Sequence, residues 1–232
     1  MGGRGAYSMT FWANSGVSNR SGSKDVTSKY KGMTLAQAED VIRGIKGHEE
    51  AVIFDRNMKV IAAYSGGSGS VGLPDSLKGK DGITITHNHP TGITGYGAVF
   101  SPSDISWFAS SKASEIRAVG AGQGEYVYSI QVRGKQSSTG VKYAKSQLNL
   151  WAHSVKSDVT PKESGGTGKL QDDYQKMYNG YRKQGMSSGQ ARHAAWQQAT
   201  GKLERSLSDK AASLKSNGVI YYSKNKKYDV NR

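Results

Sequence analysis

The sequence contains no cysteine. That excludes disulfides, thiolate metal sites and a thiol nucleophile, so a metal site here must be built from histidine and carboxylate. No stretch approaches the roughly 18 consecutive apolar residues of a membrane span. The opening Met1-Gly2-Gly3-Arg4-Gly5 lacks the apolar core of a secretory signal. Ala6 also stands where an N-myristoylation signal would have Ser or Thr. These absences predict no membrane partner and a cytoplasmic location. Acidic residues are scarce in the second half. Residues 1–120 carry 13 Lys/Arg against 10 Asp/Glu, and residues 121–232 carry 19 against 8. The net charge of +14 thus splits into +3 and +11, and the basic half suits nucleic acid or an acidic protein surface.

The pattern along the chain predicts three regions. Residues 1–32, rich in Gly, Ser, Asn and Lys, read as a flexible N-terminal arm. Residues 33–134 read as a mixed α/β, or α+β, domain. Thr34 with Gln37 makes a capping box ahead of the apolar stripe Leu35, Ala38, Ile42 and Ile45, and Gly47 is the expected stop. Ala51–Phe54 and Lys59–Tyr64 form a hairpin pattern around Asp55–Met58. Gly82–His87 is a β-branched strand, and a helix is expected from about Asp104 to Ala113, capped by Ser101 or Ser103. Ile116–Val119 and Tyr126–Val132 look like two further strands. Residues 135–232 read as a basic, mainly helical region. It has a helix over Val141–Lys156, a linker to Lys169, a tyrosine-bearing helix from Leu170, and a second capping box at Ser187 and Gln190. Val219–Tyr222 is a short closing strand suited to the first domain's sheet.

Chemistry concentrates in Thr86-His87-Asn88-His89-Pro90 and Ser101-Pro102-Ser103-Asp104. On a strand, residues i and i+2 face the same way, so His87 and His89 aim both imidazoles at one point. Asp104 is the best-placed third ligand. Three protein ligands leave a fourth tetrahedral position open, the arrangement of a catalytic rather than a structural zinc site. Hydrolysis also needs a carboxylate base and an oxyanion donor. Glu49 and Glu50 precede the first strand of the hairpin, and Ser101 is a candidate donor. Alternation puts Glu49 with Ala51 and Ile53, and Glu50 with Val52 and Phe54. Glu49 is the first choice of base, with Glu50 as the alternate. The loop Gly92–Phe100, with Tyr96 at its tip, is placed to gate such a site. Trp107 and Phe108 are expected in the core behind it, whereas His48, His153 and His193 are expected at the surface or in helix packing.

This order resembles the JAMM (MPN+) zinc metalloprotease motif: a glutamate by the first strand, then His-x-His-Pro, then Ser-x-x-Asp. The strings Thr86–Gly92 and Phe100–Ile105 are similar to those of the RadC-like branch and its phage-encoded relatives. The resemblance spans about residues 34–132. It implies a cytidine-deaminase-like sheet flanked by helices and zinc held by His87, His89 and Asp104. It also implies Ser101 on the oxyanion side, a glutamate as base, and a protein or peptide substrate cut at a peptide or isopeptide bond. The gap from His89 to Ser101 is longer than in RadC-like sequences. A nucleic-acid-associated protein and a phage morphogenesis protein are the competing expectations. With the prophage-like opening residues, they place the chain in a bacterial host's cytoplasm or on the virion.

Overall fold

The computed structural model describes residues 17–18, 22–90, 100–120, 126–133 and 138–224. Its strands are β1 (Val17–Ser18), β2 (Lys24–Asp25), β3 (Glu50–Phe54), β4 (Val60–Ser65), β5 (Val71–Gly72), β6 (Thr84–His89), β7 (Glu115–Gly120), β8 (Val127–Val132) and β9 (Val219–Lys224). Its helices are α1 (Thr27–Tyr30), α2 (Leu35–Arg43), α3 (Pro102–Ser110), α4 (Ser138–Val159), α5 (Lys169–Lys183) and α6 (Ser188–Ser213). The fold is mixed α/β. Seven strands form one sheet in the order β2-β4-β3-β6-β7-β8-β9, and β1 pairs with β5 in a small parallel ribbon. In the large sheet only β6 and β7 run parallel, with α3 as the connection between them. Among the described residues, no helix is long and apolar enough to cross a membrane.

Strand alternation divides the core into two layers. Val52, Phe54 and Ala63 point to one face, where Ala38 and Ile42 of α2 and the fully buried Tyr30 cover them. Ala51, Ile53, Ile85, Ile116, Ala118, Tyr128 and Ile130 point to the other, under α3, α4 and α6. Layers on both faces of the sheet leave every residue of β3 and β6 buried, including the polar Thr84, Thr86 and Asn88. In α6 the residues Ala191, Ala195, Ala199, Leu203, Leu207 and Ala211 are all buried, which is the four-residue repeat of a helix face. Alanines in that row let α6 pack closely against α5. Tyr174 of α5 meets Trp196 edge to face, and the Tyr178 and Tyr181 hydroxyls bond Ser188 and Gln198.

Several boundaries differ from the sequence reading. The α2 helix ends at Arg43 with Gly44 as its cap, one turn before Gly47. The β6 strand starts at Thr84, since Gly82 holds a positive φ of 72°, and continues through His89. The α3 helix starts at Pro102 and ends at Ser110. Proline is tolerated in the first turn because its missing N–H would have no partner there. The α4 helix extends three residues past the expected span at each end. Within the stretch read as an arm, β2 pairs with β4, and Tyr30 has no exposed surface. The gating-loop reading falls on residues 91–99, outside the described residues.

Candidate metal centre

His87 and His89 lie in β6, the middle strand of the large sheet. The register sets His87 opposite Ala51 on β3 and opposite Ala118 on β7. Gly120 stands beside His89. These small neighbours leave room for two imidazoles on a closely packed sheet face. Asp104 reaches the same point from the first turn of α3, whose N-cap is Ser101. All three side chains are buried, with His87 and Asp104 at 0% exposure.

His87 Nε2 lies 3.0 Å from His89 Nε2 and 3.1 Å from Asp104 Oδ1, and His89 Nε2 lies 3.3 Å from Asp104 Oδ2. Protons cannot account for all three contacts at once. If both imidazoles donate to Asp104, their N–H groups face each other at 3.0 Å. If one turns a lone pair inward, it loses its bond to the carboxylate. A cation held by the two imidazole nitrogens and the carboxylate satisfies every contact. With ligand bonds of roughly 2.0–2.1 Å, the vertices of a tetrahedral site are roughly 3.3 Å apart, close to the observed spacings. The group can therefore hold a metal ion. His87 Nδ1 is buried and has no hydrogen-bond partner among the described residues.

Asp104 is an anion with a firm grip. Burial pushes its pKa up, but the imidazoles of His87 and His89 outweigh burial and hold it well below the ordinary carboxylate range. Two backbone N–H groups also donate to it: Val17 to Oδ1 at 2.6 Å, and Ser101 to Oδ2 at 2.7 Å. The Ser101 hydroxyl accepts from the Asp104 N–H at 3.2 Å, completing a reciprocal capping box. Ser101 is thus the helix cap, as the sequence allowed. Its side chain lies beside the Asp104 carboxylate.

The two glutamates separate clearly. Glu49 precedes β3, and its backbone extends the ladder through bonds to Gly66 and Gly67. Carried on by two residues, the Ala51–His87 register sets Glu49 level with His89 and on the histidines' face. Its side chain is buried, at 1% exposure. Glu50 faces the opposite layer. There it accepts from Lys29 at 2.8 Å and from the Tyr30 hydroxyl, and His48 Nε2 lies 3.0 Å away. Burial raises the Glu50 pKa, but its bonds to Lys29, Tyr30 and His48 outweigh burial and hold it low.

Two contributors were not found from sequence. One is the Val17 N–H, a backbone group with no sequence signal. The other is Asn88, whose place between the two histidines turns it to the far face. It accepts from Glu50 N at 2.7 Å and donates to Ile45 O and His48 O. The amide orientation follows from those partners, since an N–H must donate and carbonyls must accept. Asn88 thereby ties the ligand strand to the loop that carries Glu49. Trp107 and Phe108 lie in the core as expected, and His153 is exposed.

The site defines a class: a mixed α/β fold with a buried two-histidine, one-carboxylate cluster at the end of a central strand. No family model matches the sequence, and no curated protein or solved structure matches it.

Proposed function

We propose that this chain is a zinc-dependent hydrolase of the JAMM kind, cleaving a peptide or isopeptide bond. The observation that carries this reading is the convergence of buried His87, His89 and Asp104, whose ligand atoms lie within 4.8 Å of one another. Histidine and carboxylate ligands without thiolate suit zinc at a hydrolytic site. Zinc bound there supplies Lewis acidity, polarising the scissile carbonyl and making water a competent nucleophile near neutral pH. Glu49, on the same face, takes the proton from the attacking water and returns it to the leaving amine. Ser101 directs its hydroxyl proton at the oxyanion. The buried Asp104 keeps His87 and His89 aimed at one point.

The test compares zinc content and peptide hydrolysis in three proteins. The wild type is expected to hold one zinc per chain. His87→Ala is expected to lose it, while Glu49→Gln keeps zinc and loses turnover. Zinc retained at full stoichiometry by His87→Ala removes the metal reading. Full turnover by Glu49→Gln removes the base assignment.

A second reading concerns the helical hairpin of α5 and α6. Residues 174–203 contain Lys176, Arg182, Lys183, Arg192 and Lys202 and no Asp or Glu. Such a run, on two packed helices, suits the phosphates of a nucleic acid. Affinity for a DNA duplex that falls steeply between 50 and 200 mM salt, on the order of 10³-fold for such a contact set, supports it. Salt-independent or absent binding removes it.

A further inference from the structure

The Asp104 carboxylate of the cluster accepts a backbone N–H from Val17 of β1, a segment 87 residues away in sequence. We propose that metal loading and docking of that segment are a single coupled equilibrium, with the Val17 backbone N–H as the coupling contact. This rests on reading the cluster as a metal site.

Each Asp104 oxygen faces one imidazole and accepts one backbone N–H. Oδ2 is served by Ser101, from the cap of its own helix. Oδ1 is served by Val17, 87 residues away in sequence. The first contact forms whenever α3 forms. The second exists only while β1 is docked. Outer-shell donors fix the orientation of a ligating carboxylate, and losing one typically costs roughly 10- to 100-fold in metal affinity.

The β1 strand has two residues, and its ladder is the parallel pairing of Val17 with Val71 and Ser18 with Gly72. Val17 has no exposed surface and packs in the main core with Val71 and Leu73. Downstream, the Ser23 hydroxyl accepts from Gly72 N at 2.7 Å. Short edge pairings such as the two-residue β1 strap can open locally at a cost below that of global unfolding. Coupling between two binding events is reciprocal. What the metal gains from a docked strap, the strap gains from the metal, and whatever pulls the strap away loosens the ion.

Full-length Val17→Pro and Val17→Ala separate the backbone from the side chain. Proline removes the N–H and keeps an extended backbone, whereas alanine keeps the N–H and trims the packing. Zinc affinity is read by competition with a chromophoric chelator. Hydrogen exchange across residues 17–25 of the wild type is followed with and without zinc. The expected result is roughly 10- to 100-fold weaker zinc binding in Val17→Pro, a smaller loss in Val17→Ala, whose trimmed packing weakens docking while the N–H remains, and slower exchange at Val17 when zinc is added. Equal affinity in Val17→Pro and wild type overturns the coupling. So does exchange at Val17 that zinc leaves unchanged, a readout that stands even if the proline variant fails to fold. A wild type that binds no zinc overturns the metal reading itself and the coupling with it.

Discussion

Glu49 and Glu50 are sequence neighbours that face opposite sides of the sheet, one level with His89 and the other bound to Tyr30 and Lys29. Their substitutions should therefore fail in different ways. Glu50→Gln removes a carboxylate from three partners and is expected to lower stability by about 1–3 kcal/mol in urea denaturation. The same contacts hold the Glu50 pKa below its unfolded value. Their stabilisation is thus complete above the unfolded glutamate pKa of about 4.3 and is lost as pH falls through the lower folded value. The stability gap between wild type and Glu50→Gln should shrink below about pH 4. A gap that is constant down to pH 2 contradicts this.

Arg117 and Glu39 form a buried ion pair across the α2 layer, with Nε to Oε1 at 2.6 Å. Thr86 and Glu115 complete the network. Breaking such a pair strands a buried charge, whereas replacing both partners removes the problem. Arg117→Met alone should cost about 3–5 kcal/mol, and adding Glu39→Leu should restore most of it. A double variant that stays as unstable as Arg117→Met would show that the pair contributes net stability beyond its own desolvation.

Lys145 lies under Phe108 and donates to the carbonyls of Ser111 and Ala113 at 2.6 and 2.8 Å. Burial pushes its pKa down to about 8, against a weak opposing pull from Asp81. A neutral amine keeps two N–H groups, enough for both carbonyls. Between about pH 8 and the unfolded value of about 10.4, the unfolded chain holds a proton that the folded chain has released. Stability should therefore rise with pH across that window, by at most about 1.4 kcal/mol per pH unit. Unfolding of wild type and Lys145→Met at pH 7.5 and 9.5 checks this. The difference between them should move in favour of wild type at the higher pH, and a flat difference contradicts it.

Asn88 uses both ends of its amide on the loop that carries Glu49. Asn88→Asp keeps the acceptor for Glu50 N but sets a carboxylate against two carbonyls. Exchange across residues 45–50 should accelerate, while zinc stoichiometry stays that of wild type. Unchanged protection in that loop would show that Asn88 does not hold it.

Much of this architecture was legible because particular residues state their local structure. Thr34 with Gln37 and Ser187 with Gln190 form the reciprocal caps their spacing announces. The alternation of Ala51–Phe54 predicts which glutamate lies on the histidines' side of the sheet. The His-x-His spacing reports a shared direction that the structure bears out, and Asp104 does join the cluster. Other features carry no periodicity to read. The β1, β2 and β5 strands have two residues each, too few for any pattern to rise above chance. The role of Val17 is a backbone contact set by tertiary docking, so side-chain identity does not encode it. The role of Asn88 was visible in principle, since a polar residue alternating with two inward histidines must face the other layer and find partners there.

The position of β9 has a consequence for how the chain is made. This strand closes the large sheet by pairing along the whole of β8, from Val127 with Lys224 to Val132 with Val219. Three helices separate the two in sequence. On the ribosome, β8 emerges long before its outer neighbour and has to wait as an open edge. An unpaired edge is a template for pairing with other chains. Synthesis that stalls within α6 would therefore leave a product in which His87, His89 and Asp104 are all present and the sheet is still adhesive.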